Sequence, residues 1–171
     1  AKRLGRQLGQ RVSLARLRHL RPGVAVYEGI ELSDPETDQR LLRCPRLEVR
    51  WETIRDGKQP GRQRLALVAS RVDLEAADLK PLWRLVHGAL TGRLACFDSP
   101  VRLTIGEVNL TQGEIPLTLT GLEGKIARLS GGGQADVAFR VVGFETPKPV
   151  QIRIARSHQT EPATTGGGLY T

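Results

Sequence analysis

The stretch RCPRLEVRWE, residues 43–52, alternates Leu47, Val49 and Trp51 with Arg46, Glu48, Arg50 and Glu52. Successive side chains of a strand leave opposite faces, so a period of two is the mark of a β-strand with one dry and one wet face. Working outward, runs of the same kind recur. RVSLARLRHL from Arg11 and VAVYEGIEL from Val24 precede it, and RLALVASRVDLEAA from Arg64 follows. Further along come VRLTIGEVNLT from Val101, IPLTLTGLEGKIARL from Ile115, ADVAFRVVGF from Ala135 and PVQIRIAR from Pro149.

The apolar phase changes within several of these runs. Val101, Leu103 and Ile105 lie on one face, whereas beyond Gly106 the apolar positions become Val108 and Leu110. A similar change occurs around Gly29 and near Ser70. Such a shift is what a β-bulge produces. The segment DLKPLWRLVHGALTG, residues 78–92, has a different period: Leu79, Leu82, Val86 and Leu90 form a stripe, Asp78 can cap the start and Gly92 can end it. This predicts an inserted amphipathic helix near 79–91. The expected fold is mainly β: a curved antiparallel sheet of about eight strands, an open groove or an incomplete sandwich, with that one helix.

The domain plan follows. Residues 1–10 form a basic segment, 11–158 the β-rich domain and 159–171, with its TGGGL cluster, a flexible linker to a further region. The chain contains no methionine, even at position 1, which predicts a processed product or a piece of a longer protein. Its apolar runs are far shorter than the roughly 20 residues that cross a bilayer as a helix. Aromatic residues make up 4% of the chain, so the core must be built from Val, Leu and Ile.

The net charge of +8 suggests an anionic partner. Lys2, Arg3, Arg6, Arg11, Arg16, Arg18 and Arg21 all precede the first acidic residue, Glu28. Of 26 basic and 18 acidic residues, that leaves 19 against 18 in the rest of the chain, so the body is expected to be nearly neutral.

Chemistry-bearing motifs are sparse. His19, His87 and His158 lack neighbouring ligands at metal spacing. SDPETD, residues 33–38, has no glycine at the sixth position of a calcium loop and reads as a solvated turn. SGGGQ at 130–134 and the C-terminal glycine cluster lack the GK[ST] ending of a phosphate loop. Cys44 and Cys96 match no zinc or redox spacing, and the sequence leaves open whether they are bonded. No acid and base pair or nucleophile context is present, so neither catalysis nor a cofactor is expected. What remains is an apolar row that must be covered. Either the strands close on themselves or the face stays open for a ligand.

Several pieces occur in a particular order: Leu8, Gly9 and Val12; Arg21, Pro22 and Gly23; Gly29, Ile30, Glu31 and Leu32; Asp34, Pro35 and Thr37; then Leu47 to Trp51. Over about residues 4–52 this order resembles the amino-terminal part of AsmA-like proteins, which are related in architecture to TamB and to chorein-type bridge proteins. The resemblance implies a non-enzymatic module on the periplasmic side of a bacterial inner membrane, anchored by a segment outside this chain. Its implied role is to bind phospholipid along an apolar β groove, in lipid transport or outer-membrane assembly. The implied partners are phospholipid, the membrane surface and downstream β repeats of the same parent chain; no nucleic acid is expected. Carried over by position, the groove wall is Val24, Val26, Ile30, Leu32, Leu47, Val49, Trp51, Leu103, Ile105, Leu117 and Leu119, and the membrane-surface residues are Lys2, Arg3, Arg6 and Arg11.

Two other classes compete. A nucleic-acid-binding β domain would use the arginines on phosphates, but the chain has few aromatic rings to stack bases. A closed β-sandwich structural or adhesion module would need Trp51, Trp83 or Tyr27 at a surface, whereas the face that Trp51 shares with Leu47 and Val49 predicts that it is buried.

Overall fold

A computed structural model describes residues 9–54, 62–75, 100–112, 115–129, 132–144 and 148–157. They form one eight-stranded sheet: β1 (Arg11–Arg21), β2 (Val24–Ser33), β3 (Arg40–Ile54), β4 (Arg62–Glu75), β5 (Val101–Gln112), β6 (Ile115–Leu129), β7 (Gly132–Val141) and β8 (Val150–Ser157). The strands lie in sequence order from β1 to β8 and do not close into a barrel. Each run of alternating residues in the sequence has become one strand.

All neighbouring pairs are antiparallel except β4 and β5, which run parallel from Leu65↔Val101 to Glu75↔Thr111. The sheet is therefore mixed: six of its seven neighbouring pairs have the antiparallel arrangement expected from the sequence, and the β4–β5 pair departs from it. A parallel pair needs a connection long enough to bring the chain back to its starting end. Residues 76–100 provide that length, and the helix expected near 79–91 lies outside the described residues, as do residues 1–8 and the linker at 159–171.

A line of irregular positions crosses the sheet. Leu14 pairs with Ile30 and Arg16 with Glu28, so Ala15 faces Gly29. Ile30 pairs with Cys44 and Glu28 with Arg46, so Gly29 also faces Pro45. On the far side, Ala69↔Ile105 and Arg71↔Glu107 put Ser70 beside Gly106, and Ile105↔Leu122 with Glu107↔Thr120 put Gly106 beside Gly121. Gly29 has φ +63°, a conformation that costs a side-chain-bearing residue about 1–2 kcal/mol. Pro45 cannot donate to a ladder, and within a central strand it is tolerated at such a break.

At this crease the apolar phase of β1 to β6 changes by one residue. In β2 to β5 the apolar positions are odd-numbered on one side (Tyr27, Leu47, Ala69, Ile105) and even-numbered on the other (Ile30, Cys44, Val72, Val108), and in β6 the parity is reversed, with Leu122 against Leu119. The two sets nevertheless pack together, because Cys44, Ala69, Val72, Ile105 and Val108 form one buried cluster that Ile30, Leu47, Leu103 and Leu119 contact. The extra residue in each strand thus keeps a single face apolar along its length. β7 carries no such extra residue, with Ala135, Val137 and Val141 in one phase. Accordingly, the β6–β7 register slips between Thr120 and Glu123.

Candidate functional site

The register assembles the apolar residues into rows that run across the strands. Directly opposed residues share a face, so the rows can be followed from one pair to the next. Nearest the β1–β2 turn is Trp51, Leu65, Val101, Ile126, Ala135 and Ile154. The next row starts at His19 on the edge strand and continues through Ala25, Val49, Leu67, Leu103, Val137 and Ile152, with Gly124 between Leu103 and Val137. The third is Leu17, Tyr27, Leu47, Ala69, Ile105 and Leu122. Beyond the crease lie Leu14, Ile30 and Cys44 with Val72, Val108, Leu119 and Val141, and then Val12, Leu32, Leu42, Leu74, Leu110 and Leu117. These five rows contain no Asp, Glu, Lys or Arg, and their one titratable imidazole, His19, lies at the β1 edge.

The opposite face is laced with ions. Arg50 Nε donates to Glu48 at 2.6 Å, Arg64 Nη2 to Glu52 at 2.6 Å and Arg71 Nε to Asp73 at 2.7 Å. Asn109 Nδ2 donates to Asp73 at 3.0 Å and to Glu107 at 2.9 Å, while Thr118 donates to the Asn109 carbonyl oxygen at 3.0 Å. Burial alone would raise the Asp73 pKa. The hydrogen bonds from Asn109 and Arg71 outweigh it and hold the carboxyl below its usual range. The hydrogen bond from Arg50 likewise holds Glu48 down.

Among the described residues the substantial packing between elements joins neighbours within the sheet, so no second layer made of these strands covers the apolar face. Its centre is buried, with Val49, Ile105 and Val108 each below a tenth exposed, and its margins are open at Leu17, Ile152 and Trp51. Trp51 is 51% exposed, which overturns the expectation that it is buried. Trp51 is opposite Gly23, whose carbonyl oxygen accepts from the Trp51 backbone N–H at 2.9 Å, and glycine presents no side chain across from it.

Nine of the eleven expected groove residues lie together on this face: Ile30, Leu32, Leu47, Val49, Trp51, Leu103, Ile105, Leu117 and Leu119. Val24 and Val26 do not. They pair with Arg50 and Glu48 on the charged face, where Val26 is only 1% exposed. The phase change at Gly29 is the reason: residues in step with Ile30 before the crease leave on the other side, so Ala25 and Tyr27 take the apolar positions. Leu67, Leu122 and Ile126 belong to the face as well; Glu123 beside Leu122 and Lys125 beside Ile126 could have marked two of them by alternation, whereas Leu67 lies between Ala66 and Val68 and carries no such signal.

Of the expected membrane-surface residues, Lys2, Arg3 and Arg6 lie outside the described residues. Arg11 is ion-paired with Asp38 in the loop that follows β2. That loop is the solvated turn expected from SDPETD: Asp34 Oδ1 accepts from the Glu36 and Thr37 amides at 2.8 and 3.0 Å. Cys44 is a free, buried thiol on the apolar face, and burial raises its pKa; Cys96 and the helical His87 and Trp83 lie outside the described residues. In comparison with known proteins, no family model matches the chain and no curated protein matches it in sequence.

Proposed function

We propose that this chain is a non-enzymatic lipid-binding β module whose apolar sheet face holds phospholipid acyl chains. The observation that carries the reading is the unbroken set of five apolar rows, facing no second layer among the described residues. At about 4.8 Å per strand, the eight strands offer a face about 34 Å across. Each methylene moved from water onto such a surface contributes about 0.8 kcal/mol, so an acyl chain laid along it is held without any polar contact. The face opens to solvent at Leu17, Ile152 and Trp51, and exposed apolar area of this kind marks a binding site.

The polar side chains support a structural rather than a chemical role. Arg50, Arg64, Arg71 and Arg153 are each engaged with a carboxylate on the charged face, away from the apolar rows. In line with the AsmA-like resemblance, the module belongs to a membrane-anchored protein on the periplasmic side of a bacterial inner membrane. There it supports lipid transport or outer-membrane assembly, alongside further β repeats of its parent.

Leu103 and Thr104 are adjacent and leave opposite faces, which supplies the test. Organic extracts of detergent-free protein are analysed by mass spectrometry for wild type, Leu103→Asp and Thr104→Asp, with circular dichroism to confirm the fold. Phospholipid near one per chain in wild type and Thr104→Asp, lost in a folded Leu103→Asp, is the expected result. Lipid-free, stable wild type would overturn the reading in favour of a closed structural or adhesion module.

A further inference from the structure

The charge of the sheet is sorted along its strands, although the body is nearly neutral in sequence. On the β1–β2 turn side of the crease, residues 16–28, 46–53, 63–70, 101–105, 122–127, 133–138 and 150–155 carry nine Lys or Arg against five Asp or Glu. On the other side, residues 9–14, 30–44, 71–75, 107–111, 116–120, 139–144 and 148 carry six against seven. One end of the sheet has a surplus of four positive charges and the other a deficit of one.

One register row of the charged face concentrates this surplus. It crosses the strands as Arg21, Arg50, Arg102, Lys125 and Arg153, with Asp136 the single acid in it. Arg50 is held by Glu48 and Arg153 by Asp136. Arg21, Arg102 and Lys125 are exposed, and among the described residues none of the three is in an ion pair. At about 4.8 Å per strand the row spans about 34 Å, too long for one small anion and suited to an extended anionic surface. The half-exposed Trp51 stands at the same end on the apolar side, and an indole is favoured at a lipid headgroup boundary.

We infer that this end of the sheet, carrying Arg21, Arg102 and Lys125 with Trp51, docks the chain on an anionic lipid surface. The inference rests on the proposed function for its choice of lipid over other polyanions. It assigns the membrane contact to the folded sheet, at the end opposite Arg11, whose partner Asp38 lies in the acidic half. The strands then point their β1–β2 turn at the headgroups, and the row of Trp51, Leu65 and Val101 is the first part of the apolar face an acyl chain meets.

The test is vesicle flotation with phosphatidylcholine alone or mixed with phosphatidylglycerol. It compares wild type, the triple variant Arg21→Ser, Arg102→Ser, Lys125→Ser, and a control of equal charge change, Arg11→Ser, Arg43→Ser, Arg140→Ser, all checked for folding. A basic residue at an anionic surface contributes roughly a factor of five to binding, so the first triple should weaken binding on the order of 100-fold while the control stays within a few-fold. Equal losses in both would make net charge sufficient and overturn the inference. Wild type that ignores anionic vesicles but still carries co-purified phospholipid would overturn the docking surface alone. Absence of both would remove the proposed function with it, and binding to duplex DNA in place of vesicles would point to a nucleic-acid partner and overturn both.

Discussion

Gly106 lies so close to Ser70 across the parallel β4–β5 pair that a Cβ on it would sit 2.7 Å from the Ser70 carbonyl oxygen. The contact is with backbone, which cannot rotate away. This closeness sets the crease where the apolar phase changes, and it separates the glycines of that line by mechanism.

Gly106→Ala should destabilise the protein by about 1–3 kcal/mol, the usual cost of forcing extra volume into packed structure. Gly29→Ala combines a left-handed backbone with a Cβ 2.8 Å from that of Ala15. Part of its loss should be recovered in the double variant Ala15→Gly, Gly29→Ala, because the steric part vanishes while the conformational part, about 1–2 kcal/mol, persists. Urea denaturation of the four proteins measures this, and additive losses would refute the contact.

Asp73 gives the sheet an acid sensitivity. Its pKa is lowered in the fold, below the ordinary value near 3.8, by the hydrogen bonds from Asn109 and Arg71 that overcome its burial. A lowered carboxylate contributes stability that is present above the unfolded pKa and lost as pH falls through the folded one. Wild type should therefore lose stability on acidification below about pH 4. Asp73→Asn should be less stable at neutral pH and show a shallower decline between about pH 4 and 2, as read from thermal unfolding across that range. Parallel pH profiles would show that the network around Asn109 does not select the ionised form.

Cys44 should resist modification. Its side chain is buried, 4% exposed, and its pKa is raised by that burial, so the reactive thiolate is scarce at neutral pH. Peptide mapping after timed alkylation should find Cys44 modified roughly a hundredfold more slowly in the native chain than in denaturant. Equal rates would mean that the apolar face opens around it.

Trp51 reports on the apolar face. In a Trp83→Phe background its fluorescence should be quenched readily by acrylamide, as befits a half-exposed indole. Brominated phospholipid should quench it too, and Leu103→Asp should abolish only the second effect if lipid occupies the rows that begin at Trp51.

Much of this fold was legible in the chain. The alternation in Leu47, Val49 and Trp51 located β3, and the same period located the other seven strands, because a residue's face in a strand is a local property of the backbone. The phase changes at Gly29, Ser70 and Gly106 were visible as well. Their alignment into one line was not, since it depends on how six strands are registered against one another. Val24 and Val26 show the consequence: local alternation put them in step with Ile30, while the break at Gly29 put them on the charged face.

The parallel pairing of β4 and β5 was equally hidden, because it depends on where a connection of 25 residues returns the chain. Charge shows the same division. Sequence order gave Arg102 and Lys125 no relation to Arg21, and five successive pairings across six strands brought them into one row. Strand identity, turn chemistry and the alternation of apolar with polar residues act over a few bonds and are legible in the chain alone. The face on which each row lies and the end at which positive charge collects emerge on folding, because both arise from hydrogen-bonded register between segments far apart in the chain.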